Sequence, residues 1–110
     1  MIKITIYKNQ NDLYTGFDSI GHAGYAEHGE DIICAGVSAL VINTINSILT
    51  FTDDSFDTTT EEDSGMITFH SKGNKISKDS NLLIKSLVLG LQGIQNNYGN
   101  EYIMLIFKEV

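Results

Sequence analysis

The sequence contains only one cysteine, Cys34, so the chain has no second thiol for an internal disulfide. Disulfides accumulate in oxidising compartments, whereas a reducing compartment leaves a thiol free to react. No basic stretch with a cleavage site marks a secretory signal, and the apolar run from Ile32 to Ile42 is shorter than the about 20 residues that cross a membrane. We therefore expect a cytoplasmic protein with no membrane contact.

Basic residues are also scarce, with 7 Lys and Arg against 14 Asp and Glu and a formal net charge of -7. Proteins that bind nucleic acid directly concentrate Lys and Arg, so we expect no nucleic-acid partner. The acidic balance favours a basic polypeptide as partner, although it equally serves solubility. The 110 residues suffice for one hydrophobic core, and residues 1–110 are expected to form one domain.

Alternating apolar and polar residues predict two β-hairpins. The first has strands at residues 2–7 and 13–20, and Gly16 in its second strand marks a candidate bulge. The second has strands at residues 56–62 and 66–71, joined by a short polar turn. Threonine and acidic residues dominate 56–62, which is typical of an edge strand that charge protects from further pairing.

Two helices and a last strand complete the pattern. Asp31 stands at the N-cap position of an apolar helix that runs to about Leu49. Apolar residues at steps of three and four predict a second helix over 83–98, with Gly99 as its C-cap. The unbroken apolar run from Tyr102 to Phe107 is typical of a strand covered on both faces, so we expect it in the centre of the sheet.

The order β-β-α-β-β-α-β predicts an α+β fold, a two-layer sandwich with two helices packed on one mostly antiparallel sheet. If both helices lie on the same face, the apolar residues of the last strand that point the other way need a cover. A second copy of the chain provides one, and we expect a homodimer.

The stretch from Gly21 to Leu40, GHAGYAEHGEDIICAGVSAL, combines Cys34, two histidines and three carboxylates with three glycines. If Asp31 caps the helix, Cys34 lies in its first turn, where unpaired amides and the helix dipole favour a thiolate and can hold an oxyanion. The charges of Glu30 and Asp31 oppose a thiolate. His22, across a glycine-bearing loop, is the candidate general base that offsets them.

Other interpretations of these residues remain open on chemistry alone. A lone cysteine on an apolar helix is often simply a small buried side chain. A zinc site formed by His22, His28 and Cys34 lacks the usual ligand spacing, and we expect no metal and no cofactor. His70, next to Phe69 on a strand, is expected to be structural.

The central stretch resembles the signature of the Prp family of ribosomal-processing cysteine proteases, also called YsxB-like. The shared pattern is GHA, a short loop with glycine, and then D-I-hydrophobic-C-A-x-x-S on a helix. Chain length, the early hairpin and the late helix resemble the family too. The resemblance implies a homodimeric endopeptidase that removes an N-terminal extension from a protein of the large ribosomal subunit, with His22 as base and Cys34 as nucleophile.

Gly21, Asp31 and Ser38 also match family positions near the site. Asp31 is expected either to cap the helix only or also to orient His22 as third member of a triad. Ser38, one turn after Cys34, is expected to support the site or merely to satisfy its own backbone. The loop with Gly21, Gly24 and Gly29 is expected to act as a lid that completes the site when substrate binds, while Tyr25 and His28 lie in its variable part.

Two functions therefore compete at this point. The first is a cysteine endopeptidase that processes a ribosomal protein precursor through a thioester at Cys34. The second is a non-catalytic module that binds a ribosomal protein or an assembly factor and keeps Cys34 in its core.

Overall fold

The computed structural model describes residues 1–27, 30–73 and 75–110, and along these residues the helices and strands follow the predicted order. The predicted caps are confirmed, since Asp31 precedes the first helix and Gly99 ends the second. The first helix ends at Phe51, two residues beyond the predicted Leu49. The elements are β1 (Ile2–Lys8), β2 (Tyr14–Ile20), α1 (Ile32–Phe51), β3 (Phe56–Glu61), β4 (Met66–Ser71), α2 (Lys78–Tyr98) and β5 (Ile103–Glu109).

The five strands form one sheet in the order β3-β4-β2-β1-β5. Neighbouring strands are antiparallel except β1 and β5, which run parallel with Ile2 opposite Ile103. The fold is therefore α+β with two helices on a mostly antiparallel sheet, as predicted. The acidic strand β3 lies at an edge, and this prediction is also confirmed.

The predicted central position of the last strand is wrong, because β5 forms the other edge of the sheet. Ile103 on its inner face is fully buried, but Met104, which points to the opposite face, remains 39% exposed. An unbroken apolar run indicates cover on both faces only when layers lie on both sides of the sheet. Here the helices cover one side, so the apolar run of β5 leaves part of its surface in solvent.

The core lies between the helices and one face of the sheet. Ile2, Ile4 and Ile6 of β1 point into it, together with the fully buried rings of Phe17 and Phe69. Side chains at the alternate positions of the strands form an open face that is mainly polar. Because one face of the sheet is buried and the other is open, the alternation of apolar and polar residues at the start of the sequence correctly predicted a strand.

A bulge in β2 sits where Gly16 predicted it. Tyr7 lies opposite Gly16 and Lys8 opposite Tyr14, so Thr15 is the extra residue. A Cβ atom at position 16 would clash with the carbonyl oxygen of Phe69 in β4. Glycine is therefore needed here because the backbones of β2 and β4 approach closely.

The connection between α1 and β3 is fastened to the start of α2 by Asp54. Its Oδ2 accepts hydrogen bonds from the backbone nitrogen of Ser77 at 3.0 Å, from Ser77 Oγ at 2.6 Å, and from the hydroxyl of the fully buried Ser80. Burial by itself raises the pKa of Asp54, but the donors from Ser77 and Ser80 outweigh it and hold the pKa below its ordinary value of 3.8. Asp54 thus links both helices through one carboxylate.

We expect Asp54→Ala to lower the free energy of unfolding by about 1–3 kcal/mol, because it leaves the buried hydroxyl of Ser80 with only a long hydrogen bond, 3.4 Å, to Thr52 Oγ1. A group whose folded-state pKa is depressed stabilises the protein above its unfolded pKa, and this contribution is lost as the pH falls through the folded-state value. Urea unfolding at several pH values measures both effects. The difference in unfolding free energy between the parent protein and Asp54→Ala should have its full size above pH 3.8 and become smaller below that pH.

Asp53→Ala is the matched control, because the neighbouring Asp53 side chain is exposed. A loss of stability for Asp53→Ala equal to that for Asp54→Ala, or a difference that does not change in acid, would contradict the assigned role of Asp54.

Candidate active site

Asp31 fixes the start of α1 and, through it, the position of Cys34. Its backbone is extended, and its Oδ1 accepts hydrogen bonds from the backbone nitrogens of Ile33 and Cys34, both at 3.0 Å. Its Oδ2 accepts a third, also at 3.0 Å, from the backbone nitrogen of Tyr25 in the preceding loop. The single carboxylate therefore caps the helix and holds the loop against it.

The Asp31 carboxylate remains charged although the residue is buried. Burial by itself raises its pKa, but the backbone donors of Cys34, Tyr25 and Ala26 outweigh this and hold the pKa below the ordinary value of 3.8. Asp31 accepts hydrogen bonds from backbone amides of the helix and loop, and the thiol of Cys34 also donates to its side chain. The amide bonds account for a capping and loop-holding role, and a triad role for Asp31 stays a prediction.

Cys34 occupies the third position of α1, as predicted, and its side chain is partly buried against the core. Its Sγ accepts a hydrogen bond at 3.0 Å from the backbone nitrogen of Ala23, the residue that follows His22. Ala23 is itself buried in the core. The sulfur is thus tied directly to the loop segment that carries the candidate base.

The electrostatics of Cys34 differ from the expectation that the helix start favours a thiolate. Burial raises the pKa of the thiol above its ordinary value, and the nearby charge of Asp31 raises it further. The amide of Ala23 acts in the opposite direction but is outweighed. The proton therefore stays on sulfur at neutral pH until a base accepts it.

Two of the amides at the start of α1, those of Ile33 and Cys34, are not open to an oxyanion, contrary to the expectation. The nitrogens of Ile33 and Cys34 donate to the side chain of Asp31, and the nitrogen of Ala35 donates to its carbonyl oxygen. A capping carboxylate and an oxyanion compete for the same donors, and here the carboxylate holds them. The amide of Ala23, which already contacts sulfur, is the nearest alternative source of stabilisation for negative charge.

The backbone around His22 is attached to two separate parts of the sheet. The carbonyl oxygen of His22 accepts a hydrogen bond at 2.6 Å from the backbone nitrogen of Met1. The backbone nitrogen of Gly21 donates to the carbonyl oxygen of Ser64, in the turn between β3 and β4, at 3.0 Å. These bonds define the position of His22 at the end of β2.

His22 and Cys34 line the same groove, which has a volume of about 830 Å³. One wall is formed by α1, including Val37, Ser38 and Val41. The opposite wall is formed by the β3–β4 hairpin. The residues of the groove that come from this hairpin are Thr60, Glu61, Glu62, Gly65, Met66 and Ile67.

The predicted site residues are largely brought together. Gly21, Gly24, Asp31 and Ser38 line the groove with His22 and Cys34, whereas the predicted loop residues His28 and Gly29 lie outside the described residues. The described part of the loop is held at Gly21 and Tyr25 by hydrogen bonds, and its role as a lid stays a prediction. Among the described residues, no group of three or more His, Cys, Asp and Glu side chains is placed to hold a metal ion.

His70 lies apart from the groove. It is on the open face of the sheet, where its Nε2 is 2.6 Å from Asp18 Oδ1 and its ring packs against Tyr7. Asp18 also accepts a hydrogen bond from the hydroxyl of Tyr7. These contacts favour the structural role expected for His70.

Sequence reasoning missed the amide of Ala23 and the glycine at position 65, both of which contact the candidate catalytic groups. The Asp-Ser-Gly sequence at 63–65 indicates a turn but not what the turn packs against. Contacts between a turn and a loop that are far apart in the chain carry no local sequence signal. Only the sheet order, which places β4 beside β2, brings them together.

Comparison with known proteins agrees with this geometry. The family model for cysteine protease Prp matches residues 1–103. The chain belongs to the Prp family. It is therefore a cysteine endopeptidase, and Cys34 is the only cysteine it has to supply as nucleophile.

Relatives in the family span nearly the whole chain. The ribosomal processing cysteine protease Prp of Bacillus subtilis is 31% identical over 101 residues, which are 89% of this chain and 90% of that protein. The Prp of Staphylococcus aureus strain Mu50 is 32% identical over 109 residues, which are 98% of this chain and 100% of the relative.

Crystal structures of a Prp from S. aureus have the same fold. One, with a covalently linked product peptide, superposes with a TM-score of 0.91 at 30% identity, covering 98% of this chain and 100% of the other. Another, with a substrate peptide, gives a TM-score of 0.85 at the same identity and coverage. The Prp fold therefore extends over the described residues of this chain.

We expect the thiol of Cys34 in the unliganded protein to have a higher pKa than an ordinary cysteine thiol, because burial and the charge of Asp31 both raise it. The rate of alkylation by iodoacetamide, measured against pH, reports the thiolate directly because the chain has one cysteine. The inflection should lie above the value of about 8.5 for an unperturbed thiol. Asp31→Asn should move it downward, since it removes a neighbouring negative charge.

Cys34→Ala provides the blank for this measurement, and circular dichroism of Asp31→Asn checks that the helix remains capped. An inflection well below that of an ordinary thiol would show a preformed thiolate in the free protein and contradict the expectation.

Proposed function

We propose that this Prp-family protease removes an N-terminal extension from the precursor of a large-subunit ribosomal protein in the cytoplasm. The observation that carries the proposal is the placement of Cys34 and His22 on one groove, in a chain that belongs to this protease family. The names of the B. subtilis and S. aureus relatives, ribosomal processing cysteine proteases, support the substrate class. The single free cysteine is consistent with a reducing compartment.

In this mechanism His22 accepts the thiol proton as Cys34 Sγ attacks the carbonyl carbon of the scissile peptide bond. The carbon–nitrogen bond then breaks, and the imidazolium of His22 donates its proton to the departing amine. The remaining acyl group is a thioester on Cys34. Water, deprotonated by His22, attacks the thioester and releases a carboxylic acid and the free thiol.

The walls of the groove indicate which peptides fit it. Met66 and Ile67 offer partly exposed apolar surface, and the exposed carboxylates of Glu61 and Glu62 lie nearby on the same hairpin. An extended peptide that presents apolar side chains near a basic residue matches both features. Ribosomal proteins are generally basic because they bind RNA, and the net charge of -7 favours their approach.

The competing function, a non-catalytic binding module, requires Cys34 to be a buried residue of the hydrophobic core. The structure instead leaves Cys34 partly buried on the wall of an open groove that His22 also lines. This position fits the family's protease activity and gives the binding module no specific support.

We expect Cys34→Ala to abolish cleavage, because no other thiol is present to form the thioester. His22→Ala should lower the rate by about 100-fold or more, the scale of a lost general base. Mass spectrometry of a ribosomal protein precursor incubated with each variant measures the cleavage. His70→Ala is the matched histidine control and should retain activity, since His70 lies on the open face of the sheet.

Cleavage by Cys34→Ala would refute the assignment of the nucleophile. If His22→Ala remained as active as His70→Ala, His22 could not be the base. If the parent protein cleaved other peptides but left every ribosomal precursor intact, the result would support the protease activity and refute the proposed substrate.

We further propose that the chain acts as a homodimer, with the outer face of α1 as its interface. This face carries Ile32, Ala35, Ala39, Ile42, Asn46 and Leu49, all exposed and spaced alternately by three and four residues. Ile42 and Leu49 are each about half exposed, at 49% and 52%. The spacing is that of a helix seam which packs against a second helix.

A second copy fits this seam because α1 contains no charged residue along its 20 positions. Two chains of net charge -7 repel each other elsewhere, but they can pack here without placing like charges together. By length and composition α1 also resembles a membrane span, but its inner side forms the core against the sheet, so insertion would dismantle the fold. The interface first expected, the open face of β5, offers mainly Met104 and Ile106 among polar neighbours.

We expect Ile42→Glu to convert the dimer to a monomer of 12.1 kDa, because it places a charge in the middle of the seam. Sedimentation equilibrium measures the mass. Leu89→Glu is the matched control, since Leu89 is an exposed leucine on α2 and should leave the dimer intact. A parent protein that is monomeric, or a dimer broken by Leu89→Glu and not by Ile42→Glu, would overturn this interface.

A further inference from the structure

The turn between β3 and β4 lies directly against the imidazole of His22. A Cβ atom at position 65 would lie 3.2 Å from Cε1 and 3.3 Å from Nε2 of His22. These distances are shorter than ordinary van der Waals contact, so the ring occupies the space that a side chain at position 65 would take. Cε1 and Nε2 form the edge of the imidazole that lies against the turn, and Nε2 is one of the two ring nitrogens that can carry a proton.

The same turn is also bonded to the backbone that carries His22. Gly21, immediately before His22, donates its backbone N–H to the carbonyl oxygen of Ser64 at 3.0 Å. A Cβ atom at position 65 would in addition lie only 2.8 Å from the carbonyl oxygen of Gly21. Both the ring and the backbone of the catalytic segment are therefore fitted to a turn without a side chain at this point.

The β3–β4 hairpin is at the same time one wall of the groove. Glu61, Glu62, Met66 and Ile67 line it on either side of the turn. The strand arrangement explains this double contact, because β4 pairs directly with β2, whose end leads into Gly21 and His22. One hairpin thus touches both the peptide-binding space and the candidate base.

We propose that Gly65 is a positioning residue for the protease reaction, and that the β3–β4 turn sets the orientation of the His22 imidazole toward Cys34. Gly65 has no side chain to take part in proton transfer. It acts through His22, by providing the surface on which the ring rests. The proposal depends on the role of His22 as base in the proposed function.

Gly65→Ala tests the proposal, because the added methyl group displaces the ring. Steady-state cleavage of a precursor-derived peptide should show kcat lowered on the order of 10-fold, because the ring must move by a few tenths of an ångström and a displacement of about 1 Å costs about 100-fold. KM should change little, since the other groove residues remain. The Cε1–Hε1 NMR signal of His22, assigned by its absence in His22→Ala, should shift in the variant.

Gly73→Ala is the matched control for backbone strain. Gly73 has φ of +72° and Gly65 has φ of +64°, so alanine is strained at both positions. A Cβ atom added at position 73 would have no neighbouring heavy atom within 4 Å among the described residues. Gly73→Ala should therefore lose thermal stability as Gly65→Ala does, while keeping the parent kcat and the parent His22 signal.

If Gly65→Ala does not fold, Gly65→Asn gives the same test, because asparagine tolerates positive φ and still introduces a Cβ atom. A parent-like kcat and an unmoved His22 signal in a folded position-65 variant would overturn the proposal. Equal losses of kcat in Gly65→Ala and Gly73→Ala would also overturn it. Retained activity in His22→Ala would instead refute the assignment of the base, and thus distinguishes failure of the proposed function from failure of this inference.

Discussion

The Asp31 carboxylate joins the two segments from which the catalytic groove is built. Its oxygens bind the first turn of α1 on one side and the amide of Tyr25 on the other. Without this carboxylate, the helix that carries Cys34 and the loop that follows His22 would each have unpaired amides at the point where they meet. The pocket and the orientation of the sulfur therefore depend on one buried charge.

This arrangement has an electrostatic consequence for the thiol. The charge that organises the site also disfavours a thiolate on Cys34 and occupies the helix amides. The protein thus gains a well-defined groove and leaves the sulfur protonated at rest. With the proton on sulfur, a nucleophile forms only when a base accepts it, so the geometry of the proposed base, His22, becomes as important as the chemistry of the sulfur.

The order of elements, the Asp31 cap and the edge position of β3 were predictable because each follows from local pattern. Alternation within a strand, a capping residue before an apolar helix and charge on an edge strand all act over a few residues. The position of β5 was not predictable in this way. Its apolar run is compatible with either a central strand or an edge strand. Which of the two forms depends on the position in the sheet to which the chain returns after α2.

The candidate pair His22 and Cys34 was recognisable from the motif, but the protonation and hydrogen bonding of the site were not. The pKa of Cys34 depends on how deeply Ala23 and the core enclose it, and the occupation of the helix amides depends on the side-chain conformation of Asp31. The contact between Gly65 and His22 depends on sheet order. These features arise from tertiary packing, about which spacing along the chain gives no information.

The parallel pairing of β1 with β5 also bears on how the protein matures. Ile2 lies opposite Ile103, and the backbone nitrogen of Ile2 donates to the carbonyl oxygen of Tyr102. A β-strand made early in synthesis must therefore wait for one made much later before its second edge is paired, and contacts of such long sequence separation slow folding. The sheet that carries the groove is therefore complete only once β5 has paired with β1.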